Sequence, residues 1–173
     1  METDKVMPIK LSATKTYELW LSSRKKSLSN DKQILSPSDF GFHNAILRNE
    51  GEICFLDFEY FGRDDPVKLM ADFIWHPGMS LDPYHKKKWL KGTFKIFNND
   101  PDIFSRFHAA WPLYGLKWSL ILLNEFREDG WYKRVYADKD LEIKYRQKLG
   151  EQLIKAQTFC HQIEENNLEC PYY

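Results

Sequence analysis

The stretch that decides the fold is Leu35-Ser36-Pro37-Ser38-Asp39-Phe40-Gly41-Phe42-His43-Asn44, answered by Cys54-Phe55-Leu56-Asp57-Phe58-Glu59-Tyr60. Between the two, Arg48-Asn49-Glu50-Gly51-Glu52 separates two short apolar segments, Asn44 through Leu47 and Ile53 through Phe58. A polar break of this length containing glycine predicts a β-hairpin. A hairpin returns its end to its beginning, so Asp57 is expected beside Asn44. An amide oxygen and a carboxylate in that arrangement suit a magnesium ion on nucleotide phosphates. Asp39, one loop away, is then placed to accept the proton of an attacking hydroxyl.

These spacings resemble the aminoglycoside phosphotransferase and choline kinase family, relatives of the protein kinases. That family's catalytic loop reads Asp-x4-Asn, and its metal aspartate follows the asparagine after a hairpin of the length seen between Asn44 and Asp57. Leu56-Asp57-Phe58-Glu59-Tyr60 is similar to the segment around the metal aspartate of choline kinases, and Asp65-Pro66 before a helix is typical of the group. The resemblance spans Leu35 to Phe73. It implies the C-terminal lobe of a protein-kinase-like fold, mainly α with a small hairpin. Asp39 is the implied catalytic base and Asn44 and Asp57 the implied magnesium ligands. ATP is the implied phosphoryl donor, and an aminoglycoside, choline or sugar-like hydroxyl the acceptor.

The sequence departs from the family at several points. Pro37 stands where the family has His and Ser38 where it has Gly. Leu69 replaces an aspartate expected four residues after Asp65, and Asp72, about one turn further along the helix, is the candidate to reach the catalytic loop instead. Asp39-Phe40-Gly41 spells the protein-kinase metal motif, but Ser22 to Ser36 offers no His-Arg-Asp equivalent before it, so this match is read as chance. The family's first lobe carries a phosphate-covering loop and a nucleotide-binding lysine. Residues 1–34 contain no glycine, and Lys25 and Lys26 lie in a polar stretch. The expectation is an N-terminal helical segment over 1–34 leading into a catalytic lobe over 35–173, in one domain with the ATP-grasping lobe missing. Such a lobe alone should transfer phosphate at a negligible rate.

Outside the motif the chain reads as helical. Asp65-Pro66, Asp82-Pro83 and Asp100-Pro101 are each expected to open a helix, because the carboxylate accepts from free N–H groups while proline fills the first turn. Val67, Leu69, Met70, Phe73 and Ile74, then Trp89, Leu90, Phe94 and Phe97, follow at helical spacing. The third helix should run to Phe126 and kink or split at Pro112. A last helix from Asp138 carries Leu141, Tyr145, Leu149, Leu153, Ala156 and Cys160 as its apolar stripe, and a first one is expected over Thr14 to Ser27.

Composition narrows the function classes. The 173 residues carry 25 basic and 25 acidic side chains, with only short basic runs, which argues against a nucleic-acid partner. No apolar run reaches membrane-spanning length, and Cys54, Cys160 and Cys170 form no CxxC pair, so a cytoplasmic protein is expected. Glu59, Asp64 and Asp65 form an acidic cluster that either attracts a cationic substrate, with Glu59 the substrate candidate, or caps the helix start. Trp111, Trp118 and Trp131 either shape a substrate pocket or fill the core. His43 reads as a locally packed loop residue, and His76, His85, His108 and His161 show no metal spacing. The competing reading is a catalytically inactive, pseudokinase-like interaction module, with self-association or a missing N-lobe partner covering its apolar surface.

Overall fold

The computed structural model describes residues 28–127, 140–166 and 168–173, together with Glu18 and Leu21. Most of the helix expected over Thr14 to Ser27, together with Trp131 and the start at Asp138, lies outside the described residues, as does the side chain of Leu141. The described chain is mainly helical with small antiparallel sheets. Its strands are β1 (Ile34–Ser36), β2 (Ala45–Leu47), β3 (Ile53–Phe55) and β4 (Gly62–Asp64), and its helices α1 (Pro66–Trp75), α2 (Pro83–Ile96), α3 (Ile103–Leu122) and α4 (Asp140–Glu165).

Strands β2 and β3 form the hairpin, with Ala45 opposite Phe55 and Leu47 opposite Ile53. Gly51 turns it at a φ of 80°, the left-handed conformation that glycine adopts without a Cβ penalty. A second pair joins β1 to β4, Ile34 opposite Asp64 and Ser36 opposite Gly62, which the sequence reading did not anticipate. Strands of three residues are too short to show alternation, and Leu35 in the middle of β1 faces solvent. This pair brackets the hairpin and brings the start of the Asp39-bearing segment next to the start of α1.

Two of the three Asp-Pro pairs open helices as expected. The Asp65 carboxylate accepts from Val67 N at 2.9 Å, and Asp82 from His85 N at 2.8 Å. The third does not: α3 starts at Ile103, with Pro101 in the preceding turn and the Asp100 carboxylate accepting from Asp102 N. Asp100 is instead bound by Arg106 at 2.8 Å and Lys32 at 3.1 Å. Those partners, together with two Arg106 hydrogen bonds to Asp65, tie the start of α1 to α3 and to the turn before β1. Pro112 does not split α3, which continues to Leu122, followed by a 3-10 turn over Leu123–Phe126.

The core lies among α1, α3 and α4, with Val67, Met70, Phe107, Trp111 and Ile163 almost fully buried and Leu90 of α2 added from the side. Trp75 donates its indole N–H to the Trp111 carbonyl at 3.1 Å, so the one polar atom of that buried ring is satisfied. The buried stripe of α4 is displaced from the one expected. It runs through Gln152, Ala156, Cys160 and Ile163, while Leu153 is 41% exposed. A glutamine on the buried face hid the register from a count of apolar residues.

Close approach of the three helices occurs at Gly115. A Cβ there would stand 2.7 Å from Ile163 Cδ1 and 2.9 Å from Trp75 Cζ2. Gly115→Ala gains roughly 1 kcal/mol of helix propensity but meets an overpacking cost of about 1–3 kcal/mol, the indole being unable to swing aside. The expected result is a net loss of about 1–2 kcal/mol, measured as a lower urea midpoint at unchanged m-value.

Candidate functional site

The chain from β1 to α1 positions the site. Ser36, almost fully buried at the end of β1, accepts a hydrogen bond from Ser38 N at 3.2 Å and turns the chain outward. Ser38 has a φ of 64°, a left-handed conformation that costs a non-glycine residue roughly 1–2 kcal/mol. It delivers Asp39 into the loop. A 3-10 turn over Phe42–Asn44 then leads into the hairpin.

Asn44 donates its side-chain amide to the Asp39 carbonyl at 3.0 Å and to Asp39 Oδ2 at 3.2 Å. Leu56 N donates to the Asn44 carbonyl at 2.8 Å, which extends the hairpin by one pair and places Asp57 immediately after it. Asp57 is exposed and has a φ of 60°, a left-handed conformation aspartate tolerates better than most residues. Among the described residues no side-chain hydrogen bond joins Asp57 to Asn44 or Asp39. Electrostatics link them: the Tyr60 hydroxyl is pushed up in pKa first by its hydrogen bond to Glu59, with the Asp57 and Asp39 charges adding to the effect.

Three residues beside Asp39 were not singled out from the sequence. The turn after α1 brings His76, Gly78 and Met79 against the loop that carries Asp39. Phe42 N donates to Met79 Sδ at 3.1 Å, and the His43 and His76 rings stack with centroids 3.8 Å apart and planes within 3°. His43 Nε2 lies 3.0 Å from Asp39 Oδ1, and His76 Nε2 lies 3.7 Å from the same oxygen. Gly41 is required by this clamp, since a Cβ there would sit 2.6 Å from the His43 ring and 2.7 Å from Met79 Sδ. Burial, with help from the neighbouring His43, lowers the His76 pKa to about 4 against the pull of Asp39. No spacing rule joins His43 to His76, because the contact is made by the fold. The histidine directly after α1 and before Pro77-Gly78 was the only available signal.

Asp72 does not reach the loop. Its buried carboxylate accepts from Lys117 Nζ and, at 2.9 Å, from Trp118 Nε1, both on α3. Burial raises its pKa, and Lys117 opposes that rise. Its position on the face of α1 turned toward α3 decides this. Asp72 does act on the site at one remove, since the Trp118 ring meets His76 edge-on at 4.4 Å. Trp111 is core, as a tryptophan on a buried helical face usually is.

Two donor sets could hold a cation. Asn44 with Asp57 offers hard oxygen atoms of the type magnesium takes. Asp39, His43 and His76 also place one ligand atom each within 4.8 Å of one another. No protein-family model, curated protein or solved structure matches the chain.

Proposed function

We propose that the chain supplies the catalytic loop of a magnesium- and ATP-dependent phosphotransferase acting on a small-molecule hydroxyl, with the kinase-like lobe arrangement the motif implies. The observation that carries this reading is the junction at the open end of the hairpin. Asn44 is bonded through its amide to Asp39 and through its carbonyl to Leu56, the residue after β3 and before Asp57. Asp39, with 41% of its side chain exposed, is accessible to an acceptor hydroxyl and is the proton acceptor. Asn44 and Asp57 would hold magnesium, whose contribution is to bridge and neutralise phosphate oxygens. In this chemistry the protein mainly positions groups and stabilises charge.

The reading predicts that the chain binds Mn2+ in the presence of ATP, seen as paramagnetic broadening of amide resonances around 44 and 57. Asp57→Ala should weaken that binding at least tenfold, equivalent to about 1.4 kcal/mol. Asp39→Asn, which retains the oxygen facing Asn44, should leave binding within about twofold, since the base is not a metal ligand in this reading. Unchanged broadening in Asp57→Ala would sink it.

A second reading, the interaction module, is favoured by a separate observation. Leu35, Ile46, Leu47, Ile53, Phe58 and Phe61, on and around the two small sheets, are all at least 49% exposed. A concentration-dependent sedimentation coefficient, lost on Leu47→Glu, is expected if that surface pairs with a second chain.

A further inference from the structure

The cluster of Asp39, His43 and His76 invites a metal reading, but the hydrogen bonds around it point elsewhere. Gly78 N donates to His76 Nδ1 at 3.0 Å. A ring nitrogen that accepts cannot carry the proton, so the neutral His76 ring holds its hydrogen on Nε2, the atom turned toward Asp39. A metal on that Nε2 would need the proton moved to Nδ1, against the Gly78 N–H. Metal-bound histidines almost always donate their other ring nitrogen.

We propose that His43 and His76 are a paired positioning element for Asp39, both presenting Nε2–H to Oδ1, so that Oδ2, steadied by Asn44, is the oxygen that meets the acceptor hydroxyl. This rests on the phosphotransfer reading for what Asp39 does, but not for how it is held. His43 is the closer donor, at 3.0 Å. His76 stands at 3.7 Å, a separation of the kind that closes when substrate binds. The stack is what couples them: His76 is fixed by Gly78 below and by the Trp118 edge, and it fixes the plane of His43.

The test has two arms on the full chain. Long-range 1H–15N spectra of the 15N-labelled protein at pH 7 should show His76 as the pure Nε2–H tautomer, and one equivalent of diamagnetic ZnCl2 should leave both sets of ring 15N shifts in place. A His76 protonated on Nδ1, or a shift of the ring nitrogens of both histidines to metal-bound values at one equivalent of zinc, overturns the proposal in favour of a metal site. In the second arm, radiolabel transfer from ATP to hydroxyl acceptors is integrated over hours, so that a slow rate is measurable. His43→Leu and His76→Leu should each lower it at least tenfold. His43→Gln and His76→Gln, whose amide nitrogen replaces Nε2, should stay within about threefold. Equal rates in the Leu and Gln variants, with both folded, overturn the positioning role while the phosphotransfer reading stands. Absence of transfer by the unsubstituted chain, the rate expected of this lobe on its own, leaves the spectra to decide how Asp39 is held.

Discussion

Lys117→Met is expected to destabilise the protein by about 2–3 kcal/mol at pH 7, because it leaves the Asp72 carboxylate buried with only the Trp118 indole N–H to answer it. Asp72 is 6% exposed, and Lys117 and Trp118 both donate to the same oxygen, Oδ1. Breaking a buried pair by removing one partner typically costs about 3–5 kcal/mol. The lower figure applies here because the Lys117 side chain is 38% exposed and water screens part of its attraction. The pH dependence carries a definite sign. Burial raises the folded-state pKa of Asp72 above its ordinary value, and removal of the cation raises it further. The protonated form is therefore the one the folded state tolerates, and the variant's deficit should grow as pH rises through the ordinary carboxylate range and shrink as pH falls. Urea unfolding at pH 4 and pH 7 measures both values. Lys117→Met with Asp72→Asn should be more stable at pH 7 than Lys117→Met alone, since asparagine keeps an acceptor for Trp118 and carries no charge. An equal deficit at both pH values would mean that Lys117 acts through its packing on Tyr114 and Trp118 and not through Asp72.

Much of this arrangement was legible in the sequence, and the remainder was hidden for physical reasons. The hairpin could be read because Gly51 and its polar neighbours interrupt two apolar segments, and the starts of α1 and α2 because Asp-Pro writes both the cap and the first turn. Asp100-Pro101 misled for a tertiary reason: Lys32 and Arg106 claim the Asp100 carboxylate, so the helix starts two residues later. The β1–β4 pair could not be read, since three-residue strands 28 positions apart at their starts, Ile34 and Gly62, carry no periodicity. The Asn44–Asp39 contact and the return of the hairpin to Asn44 are local, and spacing anticipates them. Spacing does not anticipate His76, because its contact with His43 depends on how α1 packs against the loop, which is set by Trp118, Gly78 and Met79 from elsewhere in the chain. Local rules find residues that neighbour one another through a turn; they are blind to a ring delivered by the far end of a helix.

That delivered ring gives the pH prediction. His76 has a folded-state pKa of about 4, against 6.5 for an unburied imidazole. A base with a depressed folded pKa contributes no penalty above pH 6.5, where it is neutral in both states. Below that value the unfolded chain takes up a proton that the folded chain refuses, so stability falls by up to about 1.4 kcal/mol per pH unit until pH 4. His76→Asn provides the comparison. Its side-chain oxygen can occupy the place of Nδ1 and accept from Gly78 N, but it does not titrate. Above pH 7 the variant should be the less stable protein, having lost the stack on His43 and the edge contact with Trp118. Between pH 7 and pH 5 the difference should move by about 2 kcal/mol in favour of the variant. Asp39, His43 and Lys117, the charged and titratable groups facing the ring, remain in both proteins, so their own titration largely cancels in the difference. Unfolding midpoints at half-unit pH steps would measure it. Parallel curves would mean that His76 takes up its proton as readily folded as unfolded, and burial would then not be what holds the ring neutral against Asp39.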